Sequence, residues 1–229
     1  MALGIVRTGL LAASGLLVLA TVGQAGAAAI QSQTAKAHRV SQKGSDRSLS
    51  VLYDQTSNPS GLGTFSQNFG SGDTNSSAAA DDFVVPDGAT WVVKELDISG
   101  VYFNGSGPAN SESVTFFKDK HGKVGKVVAE LDALHGADDF GSFAITLGDK
   151  GVKLKSGHYW VSAVVNMSFA AGGEWAWDNQ TAGTTEGDPA MWENPGGTIC
   201  KTWTPQNECG FGGGGSLGDE MFILKGKAK

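Results

Sequence analysis

The sequence is poor in cysteine, poor in charge and short of long apolar runs, and each shortage excludes something. Cys200 and Cys209 are its only cysteines in 229 residues, which rules out a disulfide-dense scaffold. They also have no partner cysteines or nearby histidines to complete a four-ligand zinc set. No cysteine follows the N-terminal apolar stretch, so a lipoprotein anchor has no attachment point. Beyond that stretch nothing approaches the run of about 20 apolar residues that a spanning helix needs, and the chain closes on Lys225-Gly226-Lys227-Ala228-Lys229. The mature protein is therefore expected to have no membrane span. A net charge of −6 argues against nucleic acid as a partner, because phosphates demand a basic surface.

Catalytic signatures are missing too. There is no H-E-x-x-H zinc motif and no G-x-S-x-G nucleophile elbow, and two oxidised cysteines cannot act as nucleophiles. Asp73 and Asn75 start an EF-hand acceptably, but the required Gly and the final Glu are absent. His121 and His135 fall in turn-like stretches and His158 at the start of a strand, positions that suit solvated or capping roles. The expectation is a non-enzyme with no catalytic residue.

What is present begins with a compartment signal. Arg7 supplies a positive n-region, Leu10 to Val22 an apolar core, and Ala25-Gly26-Ala27 the small-x-small pattern that signal peptidase reads. Residues 1–29 are expected to be a signal peptide, with the protein secreted or periplasmic. Residues 30–48, polar, basic and without period, read as a flexible lead. Residues 49–226 then form a single domain and residues 227–229 a basic tail. A mature chain of this size can bury roughly 70% of its unfolded surface.

From Leu49 onward, short alternating runs are separated by Gly, Asn, Asp and Ser clusters, and 34 glycines with only 17% charged residues disfavour long helices. His158 to Phe169 is the clearest strand: Tyr159, Val161, Ala163, Val165, Met167 and Phe169 share one face, leaving Trp160 on the wetter one. Phe143, Ile145 and Leu147 are expected to point inward, as are Val114 with Phe116, and Val127 with Ala129 and Leu131. Thr90 to Phe103 is β-rich, but its parity slips near Lys94 and Glu95, where a bulge would restore register. Phe83–Val85 and Met221–Leu224 are expected to be strands close in space. The fold predicted is all-β: an antiparallel two-sheet sandwich, jelly-roll-like, with a long disulfide-pinned loop near the C-terminus. In an oxidising compartment Cys200 and Cys209 pair with each other. Closing so short a loop stabilises by about 2.5–3 kcal/mol on the chain-entropy model.

Two constellations are candidate sites. Trp160, Trp175, Trp177 and Trp192, with Trp203 nearby, lie in the last third of the mature chain. Trp175 and Trp177 share a face on any strand. A flat aromatic platform beside Asp178, Asn179, Glu174 and Glu193 would suit a sugar, whose C–H faces pack on rings while its hydroxyls bond to carboxylates and amides. The same rings could instead cover the end of the sandwich. The second constellation is the acidic doublets Asp81-Asp82, Asp138-Asp139 and Asp219-Glu220. Asp81, Asp82, Asp219 and Glu220 would meet if the terminal strands pair, and could hold a structural calcium, the one cofactor this sequence suggests. Asn75, Asn104, Asn166 and Asn179 stand in N-x-[ST] sequons.

The motifs Ala79-Ala80-Asp81-Asp82-Phe83-Val84-Val85-Pro86, Gly100-Val101-Tyr102-Phe103, Gly157-His158-Tyr159-Trp160-Val161-Ser162, Gly173-Glu174-Trp175-Ala176-Trp177 and Trp192-Glu193-Asn194-Pro195-Gly196-Gly197, with the cysteine pair, resemble those of an uncharacterised family of secreted bacterial β-sandwich modules. The resemblance spans nearly the whole mature domain. It implies a bacterial extracellular setting and carries no catalytic residues. The function expected is a non-enzymatic binding module with carbohydrate as ligand. The alternatives are a surface-assembly protein that binds another extracellular protein and a polysaccharide-degrading enzyme using Glu174, Asp178 and Glu193.

Overall fold

Residues 49–183, 186–210 and 217–229 are described by the computed structural model. The expected signal peptide, the lead and the glycine run 212–215 lie outside the described residues. The strands, in chain order, are β1 (Ser50–Asp54), β2 (Pro59–Phe65), β3 (Gln67–Asn68), β4 (Ala78–Ile98), β5 (Gly100–Phe103), β6 (Ser111–Asp119), β7 (Val124–Leu134), β8 (Ala137–Asp139) and β9 (Ser142–Thr146). They continue with β10 (Val152–Asn166), β11 (Glu174–Thr181), β12 (Met191–Glu193), β13 (Thr204–Pro205), β14 (Leu217–Glu220) and β15 (Phe222–Ala228). A single helical turn, α1 (Phe169–Gly172), precedes β11.

Two sheets result. The larger is ordered β1-β15-β4-β10-β6-β7, with β9 and β12 also pairing to β4 and with β3 as a short parallel addition to β10. The smaller is ordered β14-β11-β2, with β5 on β11. The two sheets are otherwise antiparallel, so the predicted all-β, two-sheet class is what the chain adopts. β4 and β10 form its spine, pairing from Val93↔Val152 to Ala80↔Ser162.

The inner faces meet as the alternation requires. Tyr159, Val161, Ala163 and Val165 of β10 are buried beside Phe83, Val85, Val114, Phe116 and Ile145. From the smaller sheet, Trp175 meets Phe143 at 5.9 Å between centroids and Trp177 meets Phe222 at 6.1 Å, both edge-on. Full burial of side chains this size stabilises by about 1.5–3 kcal/mol each. The parity slip in β4 falls where expected. Along β15, Lys225 opposes Glu95 and Gly226 opposes Val93, so Lys94 is the extra residue. Phe83 and Phe222 are indeed neighbours, with centroids 6.5 Å apart.

Several expectations need correction. The long strand begins at Val152 and ends at Asn166, and Phe169 starts α1, 53% exposed. Val127 is 46% exposed because β7 is an edge strand that covers little. Residues 227–229 are no free tail: β15 continues to Ala228, and Thr90 and Lys229 exchange two backbone hydrogen bonds. Trp160 belongs to no wet face. It packs with Ala80 and Met191 in a second, smaller core on the outer side of the larger sheet, flanked by Phe117, Val124 and Trp203. That core exists because β12 pairs with the start of β4 (Met191↔Ala80) and brings β13 with it. The Cys200–Cys209 disulfide, with Cα atoms 5.8 Å apart, closes the chain between these two short strands and the 3₁₀ turn that follows.

Candidate functional site

The expected aromatic platform is not on the surface. Alternation along β11 turns Trp175 and Trp177 into the core, both with no exposed area, as is Trp160; Trp192 keeps 5%. Each indole N–H has a partner: Trp175 donates to the Gly141 carbonyl at 2.7 Å, and Trp177 to Met221 at 2.8 Å. Trp192 donates to the Phe65 carbonyl at 2.8 Å, and Trp160 to Asp119 Oδ1 at 3.1 Å. Buried indoles satisfied in this way are packing elements, and none presents a ring face to a ligand. Asn179 is also fully buried, hydrogen-bonded to Thr64, Glu220 and the Gly218 carbonyl, so its sequon is inaccessible. Glu193 is half-buried on β12, away from β11; burial pushes its carboxyl up, and the Trp203 backbone N–H draws it back.

The same alternation puts Glu174 and Asp178 on the outer face of the smaller sheet. There Phe65 and Val101 oppose Ala176 from either side, and Phe103 opposes Glu174. Phe65 and Phe103 meet edge-on at 6.1 Å and stay 38% and 42% exposed. Asn104 donates to Glu174 Oε2 at 2.6 Å, and burial raises the Asp178 carboxyl. This face therefore joins exposed aromatic rings to carboxylates and an amide, the combination expected of the tryptophans.

The acidic doublets converge as expected, in part. Glu220 N–H and Gln55 Nε2 both donate to Asp81 Oδ2, at 2.6 and 2.8 Å. The backbone N–H groups of Ala190 and Glu186 donate to the two oxygens of Asp219, and Asp188 N–H donates to Asp82 Oδ1. These carboxylates thus act as acceptors that fasten β14 and the loop after β11 to β4. Both oxygens of Asp81 and of Asp219 are occupied by donors, whereas Glu220 accepts from Asn179 at Oε2 and its Oε1 is buried without a partner. Asp81, Asp219 and Glu220 do not form a group of donor atoms within metal-ligating distance among the described residues. Asp138 and Asp139 lie apart on β8, where Asp138 accepts from the Tyr102 hydroxyl. No arginine occurs among the described residues, since Arg7, Arg39 and Arg47 all precede residue 49. Burial, then Asp219, Asp82 and Glu220, push the Asp81 carboxyl well above the usual range. Burial likewise raises Asp219 and, strongly, Glu220.

Sequence reasoning missed the group around His158. This residue lies inside β10, its side chain 28% exposed, with its ring parallel to Trp160 at 6.2 Å. Its Nε2 bonds to Asp82 Oδ2. Its Nδ1 lies 3.7 Å from Asp119 Oδ1 and 4.0 Å from Asp188 Oδ2. Burial raises the Asp82 carboxyl to about 6 against the lowering effect of His158. For Asp119 the balance reverses. Burial pushes upward, but the Trp160 indole, the Gly122 N–H and His158 hold it below its usual value. Among the described residues, Asp82, His158 and Asp188 are the set of metal-ligating side chains whose donor atoms lie within 4.8 Å of one another. Asp188 is 106 residues from Asp82 and in a loop, so no local spacing marks the group.

A surface cavity of about 420 Å³ elsewhere is lined by Asp97, Ile98, Phe143 and Ile223, among others, with no imidazole or thiol. Among the described residues no helix is long and apolar enough to cross a membrane. The fold defines an all-β sandwich with one disulfide. No family model matches the chain, nor does any curated protein or solved structure.

Proposed function

We propose that the protein is a secreted, non-enzymatic binding module that takes carbohydrate on the outer face of its smaller sheet. The observation that carries this reading is the exposed Phe65–Phe103 pair flanked by Glu174, Asn104 and Asp178. Rings half-open to solvent offer apolar area to the C–H face of a pyranose, and the adjoining carboxylates and amide offer acceptors and donors to its hydroxyls. A sheet face holds these groups more rigidly than a loop, which limits the ordering cost of binding. The signal-like N-terminus and the disulfide support an extracellular setting.

Affinity electrophoresis and calorimetry against soluble and insoluble polysaccharides test this. At least one glycan should bind, and Phe65→Ala with Phe103→Ala should weaken it by about tenfold or more, equivalent to about 1.4 kcal/mol. Both variants should stay folded, each losing less than about 1.5 kcal/mol of stability. A glycan panel with no binder, or binding that both substitutions leave intact, refutes the proposal.

A further inference from the structure

We propose that Lys225 and Asp97 condense into an intramolecular isopeptide bond, with Glu95 as the proton carrier. The bond ties β15, the last strand, to β4, the spine of the larger sheet. It does not depend on the carbohydrate reading.

Strand pairing builds the group. Glu95 lies opposite Lys225 and Asp97 opposite Ile223, and residues two apart on a strand share a face, so both carboxylates stand beside one amine. Lys225 Nζ contacts Asp97 Oδ2 and lies 2.9 Å from Glu95 Oε1. Among the described residues no other ion pair reaches either carboxylate. The side chains of Lys225, Glu95 and Asp97 are only 27%, 25% and 24% exposed. Two negative charges therefore share one positive charge with little water around them. Asp97 Oδ1 is buried without a hydrogen-bond partner, a costly arrangement for a carboxylate. The bulge at Lys94 falls directly beyond this pairing. Gly226 opposes Val93, and a Cβ on Gly226 would stand 2.1 Å from the Val92 carbonyl oxygen. That close approach fixes the end of the regular ladder, and with it the stem of Lys225.

The reaction is a condensation of an ammonium with a carboxylate. Burial draws the Lys225 amine down, but Asp97 and Glu95 hold it above its usual value, so its proton must move within the group. Glu95 takes one proton from the ammonium, and the freed Nζ lone pair attacks Asp97 Cγ. Burial raises the Asp97 carboxyl, and Glu95 adds to that rise against the lowering effect of Lys225, which favours the neutral acid that an amine can attack. An N–C bond forms, giving a tetrahedral centre that still carries both Asp97 oxygens. Glu95 passes its proton to one of these oxygens and relays a second from the nitrogen. The C–O bond then breaks, and that oxygen leaves as water with two of the three ammonium protons. Glu95 ends ionised, as it began, and no oxidant or second reactant is consumed. Asp97 lines the surface cavity of about 420 Å³, which gives the water an exit. In bulk water the solvated ions are favoured over the amide. Here burial removes part of that solvation, and holding amine and carboxyl in contact supplies an effective concentration of about 10⁵–10⁸ M in well-oriented cases.

The test is intact-mass spectrometry of the purified, folded chain after its disulfide is reduced. The protein should weigh about 18 Da less than its sequence requires, the loss of one water. Tryptic digestion should give one branched peptide joining the segments that contain Asp97 and Lys225, with no cleavage after Lys225. A succinimide at Asp87-Gly88 would lose the same mass, so the branched peptide carries the assignment. Lys225→Arg keeps the positive charge without the reactive amine, and Glu95→Gln keeps the shape without carrying a proton. Each should restore the full mass, as should Asp97→Ala. If a variant fails to fold, the wild-type mass and its branched peptide decide. The full sequence mass in the folded wild type, a water loss located elsewhere, or one that persists in folded Lys225→Arg or Glu95→Gln overturns the proposal.

Discussion

Replacing Trp177 by alanine is the sharpest test of which aromatic rings hold the sandwich together. Trp177 has no exposed area, packs edge-on against Phe222 and donates its indole N–H to the Met221 carbonyl at 2.8 Å. Truncating a fully buried tryptophan costs about 3–5 kcal/mol, because lost transfer energy and the residual cavity add. The lost hydrogen bond adds only about 1 kcal/mol, since the Met221 carbonyl also accepts from Ser99 N–H at 3.2 Å. The expected loss of about 4–6 kcal/mol compares with about 5–15 kcal/mol for a whole domain, so Trp177→Ala should fold marginally. Phe103→Ala removes a ring that is 42% exposed and should cost less than about 1.5 kcal/mol. Urea unfolding followed by far-UV circular dichroism gives both values. A Trp177→Ala midpoint within 1 kcal/mol of wild type, or one no lower than that of Phe103→Ala, would refute the assignment of these rings to core and surface.

Other perturbations have equally definite outcomes. Burial raises the Glu220 carboxyl strongly in the folded state, so its contribution to stability is full below its unfolded pKa and is lost as pH rises toward the folded value. Glu220→Gln should therefore stabilise the protein at pH 8 more than at pH 5 in thermal melts at those two values, and an equal effect at both would sink the idea. Reducing the Cys200–Cys209 bond should cost no more than about 3 kcal/mol. Its effect on hydrogen exchange should be confined to Met191–Thr204, with β10 still protected; global unfolding on reduction would contradict a local role. Gly187→Ala places a Cβ against Asp82 at a positive φ and should cost about 1–3 kcal/mol, and an unchanged melting temperature would show that the loop accommodates it.

The sequence by itself determined the architecture and much of the inner face. Alternation from Tyr159 to Val165, and at Phe143 and Ile145, depends only on the two-residue period of an extended chain. A composition with many turn residues and few helix-supporting charges left no competing fold class. The slip near Lys94 was equally local, since one extra residue inverts parity wherever it is inserted. Tertiary structure decided which faces became covered. Trp160 occupies the polar-looking side of β10 and is nevertheless buried, because β12 and β13, supplied some thirty residues later, lay a second core over it. Trp175 and Trp177 could be paired on one face from spacing alone, but whether that face met a sheet or solvent depended on how β11 is seated between β2, β5 and β14. The group around His158 was beyond reach for the same reason. Asp82, Asp119, His158 and Asp188 come from three strands and a loop, and their chemistry is fixed by distances across the fold that no interval along the chain records.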